Sequence, residues 1–233
     1  MERDAFLNNI ASKLGRKPGQ IPSSREIIGV SEEYKQNPFG AGAPKSTSLA
    51  EKFKAEFETN GGRCLLVTSM AEASDQLRSV LNELEPKNIV TWDKSEFANW
   101  GIDWLWSEQP ATEFSAKEDT ETERTQLREV ARTADVGITT ASFAAANTAT
   151  LVLLTNRNCN RSVSLLPTVH IALVRESQVN PSIGISLESL NKSVTPSSVH
   201  YISGPSRSSD IENDLTIGVH GPVAVVVILV LGL

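Results

Sequence analysis

The sequence predicts an α/β protein, built in three layers around a mainly parallel β-sheet. Runs rich in valine and isoleucine recur along the chain, among them TVHIALV (168–174) and VAVVVILV (223–230). Segments whose apolar residues have helical spacing lie between several of these runs. Strands that are apolar on both faces and alternate with helices are typical of a parallel sheet covered on both sides.

The first 45 residues are predicted to stand apart from this sheet. Residues 1–16 have apolar side chains at helical spacing, and Gly15 would end that helix. Residues 17–45 are rich in proline and glycine, as in KPGQIPSS and NPFGAGAPK, which favours an extended arm. We therefore expect an N-terminal helix and arm over residues 1–45 and an α/β domain over residues 46–233.

The elements of that domain follow from local patterns. Ser48 and Glu51 have the spacing of a capping box, which predicts a helix with Phe53 and Phe57 on one face. The next predicted elements are, in order, the strand RCLLVTS, the helix MAEASDQLRSVLNEL, the strand NIVTW, the short helix KSEFANW, the strand IDWLW and the charged helix TETERTQLREVARTA. The strands DVGITTA, ATLVLLT, TVHIALV, VHYIS and VAVVVILV follow.

The charge distribution argues against a nucleic-acid partner and for a small anion. The net charge is -6. Residues 137–233 hold five basic and five acidic side chains, and residues 137–175 hold Arg157, Arg161 and Arg175 with no acid. An acidic surface elsewhere would repel a nucleic-acid backbone, and the chain has no basic stripe interleaved with aromatic residues.

The two cysteines, Cys64 and Cys159, are expected to be free thiols in a cytoplasmic protein. They are not a C-x-x-C pair, and no secretory signal precedes them. An ordinary iron–sulfur cluster takes about four cysteine ligands, so none is expected in this chain. No metal site is predicted, because the three histidines are far apart in sequence. The apolar run VAVVVILVLGL is too short for a membrane span, which takes about 20 residues.

Polar segments that follow strands are the candidates for a binding site, because parallel sheets bind ligands beyond the carboxyl ends of their strands. In GITTASFAAANTATLVL, residues Asn147, Thr148 and Thr150 either cap a packed helix or contact a ligand. In NRNCNRSVSLLP, Arg161 and Ser164 are either solvated loop residues or anion ligands. A guanidinium suits a carboxylate or a phosphate, since it can donate two parallel hydrogen bonds.

A third polar segment, YISGPSRSSDIE (201–212), is predicted to turn from a strand into a helix after Gly204. Ser209 and Glu212 match a capping box. A cation such as Arg207 is unfavourable at the positive end of a helix unless an anion lies there, either a ligand or Asp210. We therefore predict an anion site at Gly204, Ser206, Arg207 and Asp210.

His170 and His220 are candidates for proton transfer, because an imidazole titrates near neutral pH. His170 opens an apolar strand, where a lone histidine is more often structural. His220 lies in the turn GVHGP, which either presents the ring to a cleft or only reverses the chain. The chain has no Walker loop, no G-x-G-x-x-G after a strand and no G-x-S-x-G elbow, so a standard nucleotide site and an α/β-hydrolase are not predicted.

Four of these segments together resemble the lactate-utilisation protein C family, the LUD-domain (DUF162) proteins. They are VGITTASFAAANTATLVL, RSVSLLPTVHIALV, ISGPSRSSDIE and IGVHGP, and the match in order and spacing runs from about residue 135 to 230. The resemblance implies a fold like that of the sugar-phosphate isomerases and CoA transferases. It also implies that the protein acts with iron–sulfur partner proteins to oxidise L-lactate to pyruvate, with the clusters in those partners and no cofactor in this chain.

The sequence departs from that family at one motif. Where the family commonly has Glu-Thr-Gly-Thr, this chain has Asn147-Thr148-Ala149-Thr150. The carboxylate that would be the obvious general base is missing, and alanine lacks the backbone freedom of glycine. Either that glutamate is dispensable or this member binds its ligand without catalysis.

Three functional hypotheses follow. The first is a subunit of a cytoplasmic lactate-oxidation system that binds a small carboxylate. This hypothesis is compatible with a chain that forms a homo-oligomer. The second is a stand-alone enzyme acting on sugar phosphates or acyl-CoA, against which the absence of a carboxylate at Asn147 counts. The third is a non-catalytic regulator or scaffold that docks a partner through residues 1–45.

Overall fold

A computed structural model describes residues 48–115, 120–185, 196–209, 215–217 and 220–233, together with residues 8–9 and 12–13. The chain divides into two compact units, Met1–Asn37 and Pro38–Leu233. In the first unit, residues 8–9 and 12–13 are helical. The remainder of the predicted first helix and the predicted arm lie outside the described residues. All that follows concerns the second unit.

The second unit alternates helices and strands. Its main helices are α1 (Leu49–Thr59), α2 (Met70–Leu84), α3 (Trp104–Glu108), α4 (Glu121–Thr133) and α5 (Ser162–Leu165), and Lys94–Phe97 and Glu176–Gln178 are 3-10 helices. Its strands are β1 (Arg63–Val67), β2 (Ile89–Thr91), β3 (Ala111–Glu113), β4 (Val136–Thr140), β5 (Phe143–Ala145), β6 (Thr150–Thr155), β7 (Val169–Arg175), β8 (Val179–Asn180), β9 (Ser198–Ile202), β10 (Arg207–Ser209), β11 (Leu215–Ile217) and β12 (Ala224–Val230). The predicted α/β class is confirmed.

A six-stranded sheet, which we call sheet A, is the centre of the fold. Its strand order is β1-β12-β7-β4-β2-β3, and every neighbouring pair is parallel. Strand β12 shows why the sequence folds this way. Val226, Ile228 and Val230 join one buried cluster, whereas Val225 and Val227 join the other. A strand that buries both faces needs cover on both, as the sequence predicts.

The two faces of sheet A have different covers. On one face, α2 and α3 supply Leu77 and Leu105 to the first apolar cluster. On the other face, α1 places Phe53 and Phe57, with ring centroids 5.3 Å apart, in the second cluster. Ser48 caps helix α1. Its hydroxyl accepts the Glu51 backbone N–H, and the Glu51 side chain accepts the Ser48 backbone N–H, so the predicted capping box is confirmed.

A second sheet, sheet B, was not predicted. Its strand order is β8-β5-β6-β9. Strands β5 and β6 are antiparallel, as are β6 and β9, whereas β5 and β8 are parallel. The segment SFAAAN, which lies between the predicted strands DVGITTA and ATLVLLT, contains a strand of its own, Phe143–Ala145.

Two predicted elements are wrong. The IDWLW segment (102–106) was expected to be a strand, but α3 begins at Trp104. Ile102 and Leu105 are both buried, and a helix brings residues three apart onto one face. The predicted helix after Gly204 is also wrong at its start, because Arg207–Ser209 is a strand that pairs antiparallel with Leu215–Ile217. The residues from 210 to 214 lie outside the described part of the chain.

Candidate functional site

The segment 203–207 lies where sheet B meets the amino edge of sheet A. The Ser203 hydroxyl is 2.8 Å from Thr150 Oγ1, at the beginning of β6. The Ser206 backbone N–H donates to the Pro222 carbonyl, in the loop that leads into β12, at 2.9 Å. Arg207 Nη2 donates to the Asn60 carbonyl, in the loop that leads into β1, at 2.6 Å. We call segment 203–207, together with its contacts at Thr150, Pro222 and Asn60, the hydroxyl junction.

Close backbone approach explains why glycines flank the hydroxyl junction. Gly204 has a φ of +135°, and a Cβ atom there would lie 3.1 Å from the Asn60 carbonyl oxygen. A Cβ at Gly61, whose φ is +83°, would lie 2.4 Å from Arg207 Nη2. Both positions therefore combine a positive φ with limited space, and both suit only glycine.

Thr148 and Thr150 give the hydroxyl junction its second pair of hydroxyl groups. Thr150 Oγ1 lies 2.8 Å from Thr148 Oγ1 and 3.1 Å from the Thr148 carbonyl oxygen. Thr150 is buried, whereas Thr148 is exposed, so the pair extends from the interior to the surface. Ser203 was not among the predicted site residues, although the turn dipeptide Gly204-Pro205 directly after it was a signal for it.

The turn that contains the departure from the family motif keeps a glycine-like conformation. Ala149 has a φ of +47° and is fully buried. The Asn147 backbone N–H donates to the Pro181 carbonyl at 3.2 Å. Ala149 therefore adopts a left-handed conformation that glycine would adopt more readily, at a cost of roughly 1–2 kcal/mol.

His220 lies close to the hydroxyl junction and is exposed. It precedes Gly221, where a Cβ atom would lie 3.2 Å from the Ser206 Cβ. The ring is accessible to solvent and adjacent in sequence to a residue that packs on Ser206. Of the two predicted roles for His220, presentation to a cleft is therefore the one that this location favours, and proton transfer stays a prediction.

His170 has a different environment, because it is fully buried. It is the second residue of β7 and pairs with Val225 and Gly137 on the two neighbouring strands. Its Nε2 lies 2.9 Å from Thr139 Oγ1. Burial lowers the pKa of His170 to about 3, so the ring is neutral at physiological pH. This placement favours the structural interpretation, and the catalytic role stays a prediction.

Arg161 lies away from the hydroxyl junction. It precedes α5, and its backbone carbonyl accepts the Ser164 hydroxyl at 3.1 Å. Desolvation, followed by the positive charge of Arg161, lowers the pKa of His200. His200 Nε2 is in turn 2.9 Å from the hydroxyl of Ser198, the first residue of β9.

The loop that carries Arg161 follows the end of β6, which pairs with the first residue of β9, whereas Arg207 follows the end of β9. Segment 203–207 follows the end of that strand, and five residues of a strand span roughly 16 Å. This placement does not bring Arg161 and Arg207 together, and the role of each as an anion ligand stays a prediction. The expectation that the site lies at the carboxyl ends of the sheet A strands is wrong for segment 203–207, because its partners precede β1 and β12. Asp210, the remaining predicted ligand, lies outside the described residues.

The described residues contain no group of three histidine, cysteine or acidic side chains placed to hold a metal ion. Within the same residues, no helix is long and apolar enough to cross a membrane. Cys64 and Cys159 are both free, as predicted, and both are buried.

Comparison with known proteins gives the family. The model of the LUD domain matches residues 50–230, which is most of the chain. The chain belongs to the LUD-domain family. The match begins in α1 and ends with the last residue of β12, so sheet A, sheet B and the β10–β11 pair are all part of the LUD domain.

Several relatives of this LUD-domain chain are named lactate utilization protein C. The chain is 34% identical to lactate utilization protein C of Halalkalibacterium halodurans, over 98% of this chain and 97% of the relative. It is 33% identical to the protein of that name from Bacillus velezensis and 31% identical to that from Bacillus subtilis, in each case over 98% of this chain and 95% of the relative. The family resemblance identified from the four motifs is confirmed.

A solved structure has a similar fold. The crystal structure of a DUF162 family protein from Deinococcus radiodurans aligns with a TM-score of 0.54 at 21% identity, over 78% of this chain and 96% of that one. At this identity the comparison shows the fold alone. The predicted likeness to sugar-phosphate isomerases and CoA transferases stays a prediction.

Proposed function

We propose that this chain is a subunit of an L-lactate utilisation system and that it binds a small carboxylate at the hydroxyl junction. The relatives named lactate utilization protein C support the first part, since they align over nearly their whole length. The position of Arg207 supports the second part and is the observation on which it depends. A guanidinium has five N–H donors, so Arg207 can hold the Asn60 carbonyl and a carboxylate at the same time.

The hydroxyl groups of the junction suit the remainder of an α-hydroxy acid. Thr148 and Ser203 both contact Thr150, and each hydroxyl can donate one hydrogen bond and accept others. In our proposal Arg207 binds the carboxylate of lactate, and Thr148 and Ser206 orient its hydroxyl. His220 is the residue that takes the proton of that hydroxyl, because it is exposed and next to the turn that packs on Ser206.

Oxidation of L-lactate to pyruvate releases two electrons and two protons, so an electron acceptor is required. An ordinary iron–sulfur cluster takes about four cysteine ligands. This chain has two cysteines, and they lie in different apolar clusters on either side of sheet A. We therefore place the clusters in iron–sulfur partner proteins, which would accept the electrons, and we place no cofactor in this chain.

The partner part of the proposal is tested by purification of the tagged full-length chain from its own organism, grown on L-lactate and on glucose. We expect iron–sulfur proteins to co-purify from the lactate-grown cells, and deletion of the gene to stop growth on lactate. Normal growth of the deletion strain on lactate would contradict the proposal. Turnover of lactate by the purified chain alone would favour the stand-alone enzyme instead.

The binding part is tested by calorimetry with L-lactate and pyruvate on the full-length chain and on Arg207→Gln. Loss of a hydrogen-bonded charge at a binding site costs about 2–5 kcal/mol, so we expect at least a 10-fold loss of affinity. Arg132→Gln is the matched control, because Arg132 is an exposed arginine whose partner is Glu129 on α4. Equal affinity of Arg207→Gln and the unchanged chain would remove Arg207 from the site.

A further inference from the structure

A chain of three hydroxyl groups runs through the hydroxyl junction. Thr148 and Ser203 are exposed at its two ends, and Thr150 is buried between them. Thr150 Oγ1 lies 2.8 Å from Thr148 Oγ1 and 2.8 Å from Ser203 Oγ. Because a hydroxyl group carries a single proton, the direction of each hydrogen bond in this chain follows from the number of protons available.

Thr150 donates its one proton on the Thr148 side. Its hydroxyl points at the Thr148 carbonyl oxygen, 3.1 Å away, and at Thr148 Oγ1. The contact with Ser203 Oγ then has no proton left from Thr150, so Ser203 has to donate its own proton to Thr150 Oγ1. The hydrogen bonds therefore run in one direction, from Ser203 to Thr150 to Thr148.

This direction makes Thr148 a hydrogen-bond donor towards solvent. Its Oγ1 accepts from Thr150, so its own proton has to point elsewhere. Within the residues that the structure describes, no protein group accepts that proton, and Thr148 is exposed. Hydrogen bonds in a chain polarise one another, which strengthens the donor at the end of the chain. The hydroxyl junction thus presents an oriented O–H donor to a ligand.

The backbone at Ala149 brings the two threonine hydroxyls together. Residues two apart in an extended strand are separated by roughly 7 Å, because a strand rises about 3.4 Å per residue. Ala149 instead has a φ of +47°, and the Oγ1 atoms of Thr148 and Thr150 are 2.8 Å apart. Sparsely populated backbone conformations occur at functional sites, where they hold groups in place. The left-handed residue therefore contributes to the orientation of the donor.

We propose that Thr148 donates a hydrogen bond to the oxygen on C2, the carbon next to the carboxylate of the ligand, so that the junction takes both 2-hydroxy and 2-oxo acids. This inference rests on the function proposed above, in which Arg207 binds the carboxylate. The oxygen on C2 accepts a hydrogen bond both as the hydroxyl of lactate and as the carbonyl of pyruvate. The donor thus stays matched to the ligand through the oxidation, and the hydroxyl proton of lactate remains available to His220. Thr150 and Ser203 are positioning residues, because they act through Thr148.

The test is calorimetry on the full-length chain with L-lactate, with pyruvate and with propionate, which lacks an oxygen on C2. We expect lactate and pyruvate to bind within about 3-fold of each other and propionate about 5-fold more weakly, the effect of one neutral hydrogen bond. Thr148→Val should lower the affinities for lactate and pyruvate about 5-fold, to that for propionate. Thr148→Ser retains the hydroxyl and should retain the affinities of the unchanged chain.

A second pair of variants tests the positioning role of Thr150. Thr150→Val removes the hydroxyl that donates to Thr148, so it should reduce the preference for lactate over propionate, and Thr150→Ser should restore this preference. A general loss of structure would instead lower the affinities for all three ligands alike. Thr125→Val is the matched control, because the Thr125 hydroxyl bonds to the Glu121 carbonyl at 2.8 Å on the exposed surface of α4. Circular dichroism checks that each variant is folded.

Three results would overturn this inference and leave the carboxylate site at Arg207 in place. Equal affinities for lactate and propionate would show that no hydrogen bond reaches the oxygen on C2. Pyruvate that binds no better than propionate would show that Thr148 is not a donor to the ligand. A preference for lactate over propionate that survives in Thr148→Val would assign the hydrogen bond to another residue. Failure of all three ligands to bind would overturn the proposed function together with this inference.

Discussion

The Nε2 atom of His170 lies 2.9 Å from the hydroxyl oxygen of Thr139, and both side chains are fully buried. Within the described part of the chain, the other ring nitrogen, Nδ1, has no hydrogen-bond partner. Protonation would place a positive charge in the interior, away from water. Burial therefore lowers the pKa of His170 to about 3.

This pKa predicts a loss of stability in mild acid. An unfolded histidine has a pKa of about 6.5, so the unfolded chain binds the proton first as pH falls. The contribution of His170 is fully present above about pH 6.5 and is lost progressively towards the folded-state pKa. Between about pH 7.5 and pH 5, His170 alone should lower the free energy of unfolding by about 2 kcal/mol. Urea unfolding at the two pH values measures it.

The control for this prediction is a comparison of two variants. His170→Gln should reduce the pH dependence, whereas His220→Gln, at an exposed histidine, should retain it. Because His170→Gln could fail to fold, the His170 ring is also followed by NMR in the unchanged protein. We expect no titration of the ring above about pH 5. A midpoint near that of an unfolded histidine would contradict the buried, neutral ring.

Thr150→Val should destabilise the hydroxyl junction without a change of side-chain shape. Thr150 Oγ1 contacts Thr148 Oγ1 and Ser203 Oγ, both at 2.8 Å, and Thr150 is 2% exposed. Removal of the Thr150 hydroxyl leaves part of this hydrogen-bond network unpaired, which should lower the free energy of unfolding by about 1–3 kcal/mol. Thr59→Val is the matched control, because the Thr59 hydroxyl bonds to the Ala55 carbonyl on an exposed helix surface. A cost no larger than that of the control would show that the network does not stabilise the junction.

The sequence predicts sheet A because its evidence is local and redundant. Strand β12 alone carries six consecutive buried residues, Val225–Val230, and such a run has no other stable place than between two covered faces. Sheet B was missed because β5 has three residues and β8 has two, which is too short for a periodic pattern. Strand β5 forms by pairing with β6, and β8 forms by pairing with β5, and such pairing cannot be predicted from one segment.

The candidate site could be predicted residue by residue but not as an arrangement. Ser206 and Arg207 were identified from their position at the start of a helix that the S-x-x-E spacing of Ser209 and Glu212 indicated, yet Arg207–Ser209 is a strand that pairs with β11. Tertiary pairing here overrides a local capping signal. The partners of this segment, Asn60 and Pro222, are distant in sequence and contribute backbone carbonyls. Because every residue has a backbone carbonyl, the residue types do not indicate these contacts.

Gly137→Ala should be one of the most destabilising single-methyl changes in the sheet. A Cβ atom at Gly137 would lie 1.9 Å from the backbone carbonyl oxygen of Val163, in α5. Backbone atoms cannot rotate away, so α5 would have to shift, and we expect a loss of about 2–4 kcal/mol in the free energy of unfolding.

Gly101→Ala is the comparison, because that glycine has a positive φ but no atom within 4 Å of the added Cβ. Its cost should be about 1 kcal/mol. Similar losses for the two variants would contradict the close packing of α5 on β4.

The thiols of Cys64 and Cys159 should be nearly inert in the native protein. Burial is the main cause that raises the pKa of each thiol to about 12, and the negative charge of Glu96 adds to it at Cys159. At about pH 8 the thiolate fraction is then roughly 10⁻⁴, against about a quarter for a free cysteine. Since the thiolate is the nucleophile, reaction with a disulfide reagent such as dithionitrobenzoate should be about a thousandfold slower than that of glutathione.

In urea both thiols should react rapidly. In the native protein, Cys64→Ala shows which of the two slow phases belongs to Cys64 and which to Cys159. A native thiol that reacts at the rate of glutathione would contradict this burial. Slow reaction of both would also agree with electrons passing through partner proteins, because neither sulfur would then be accessible to an external acceptor.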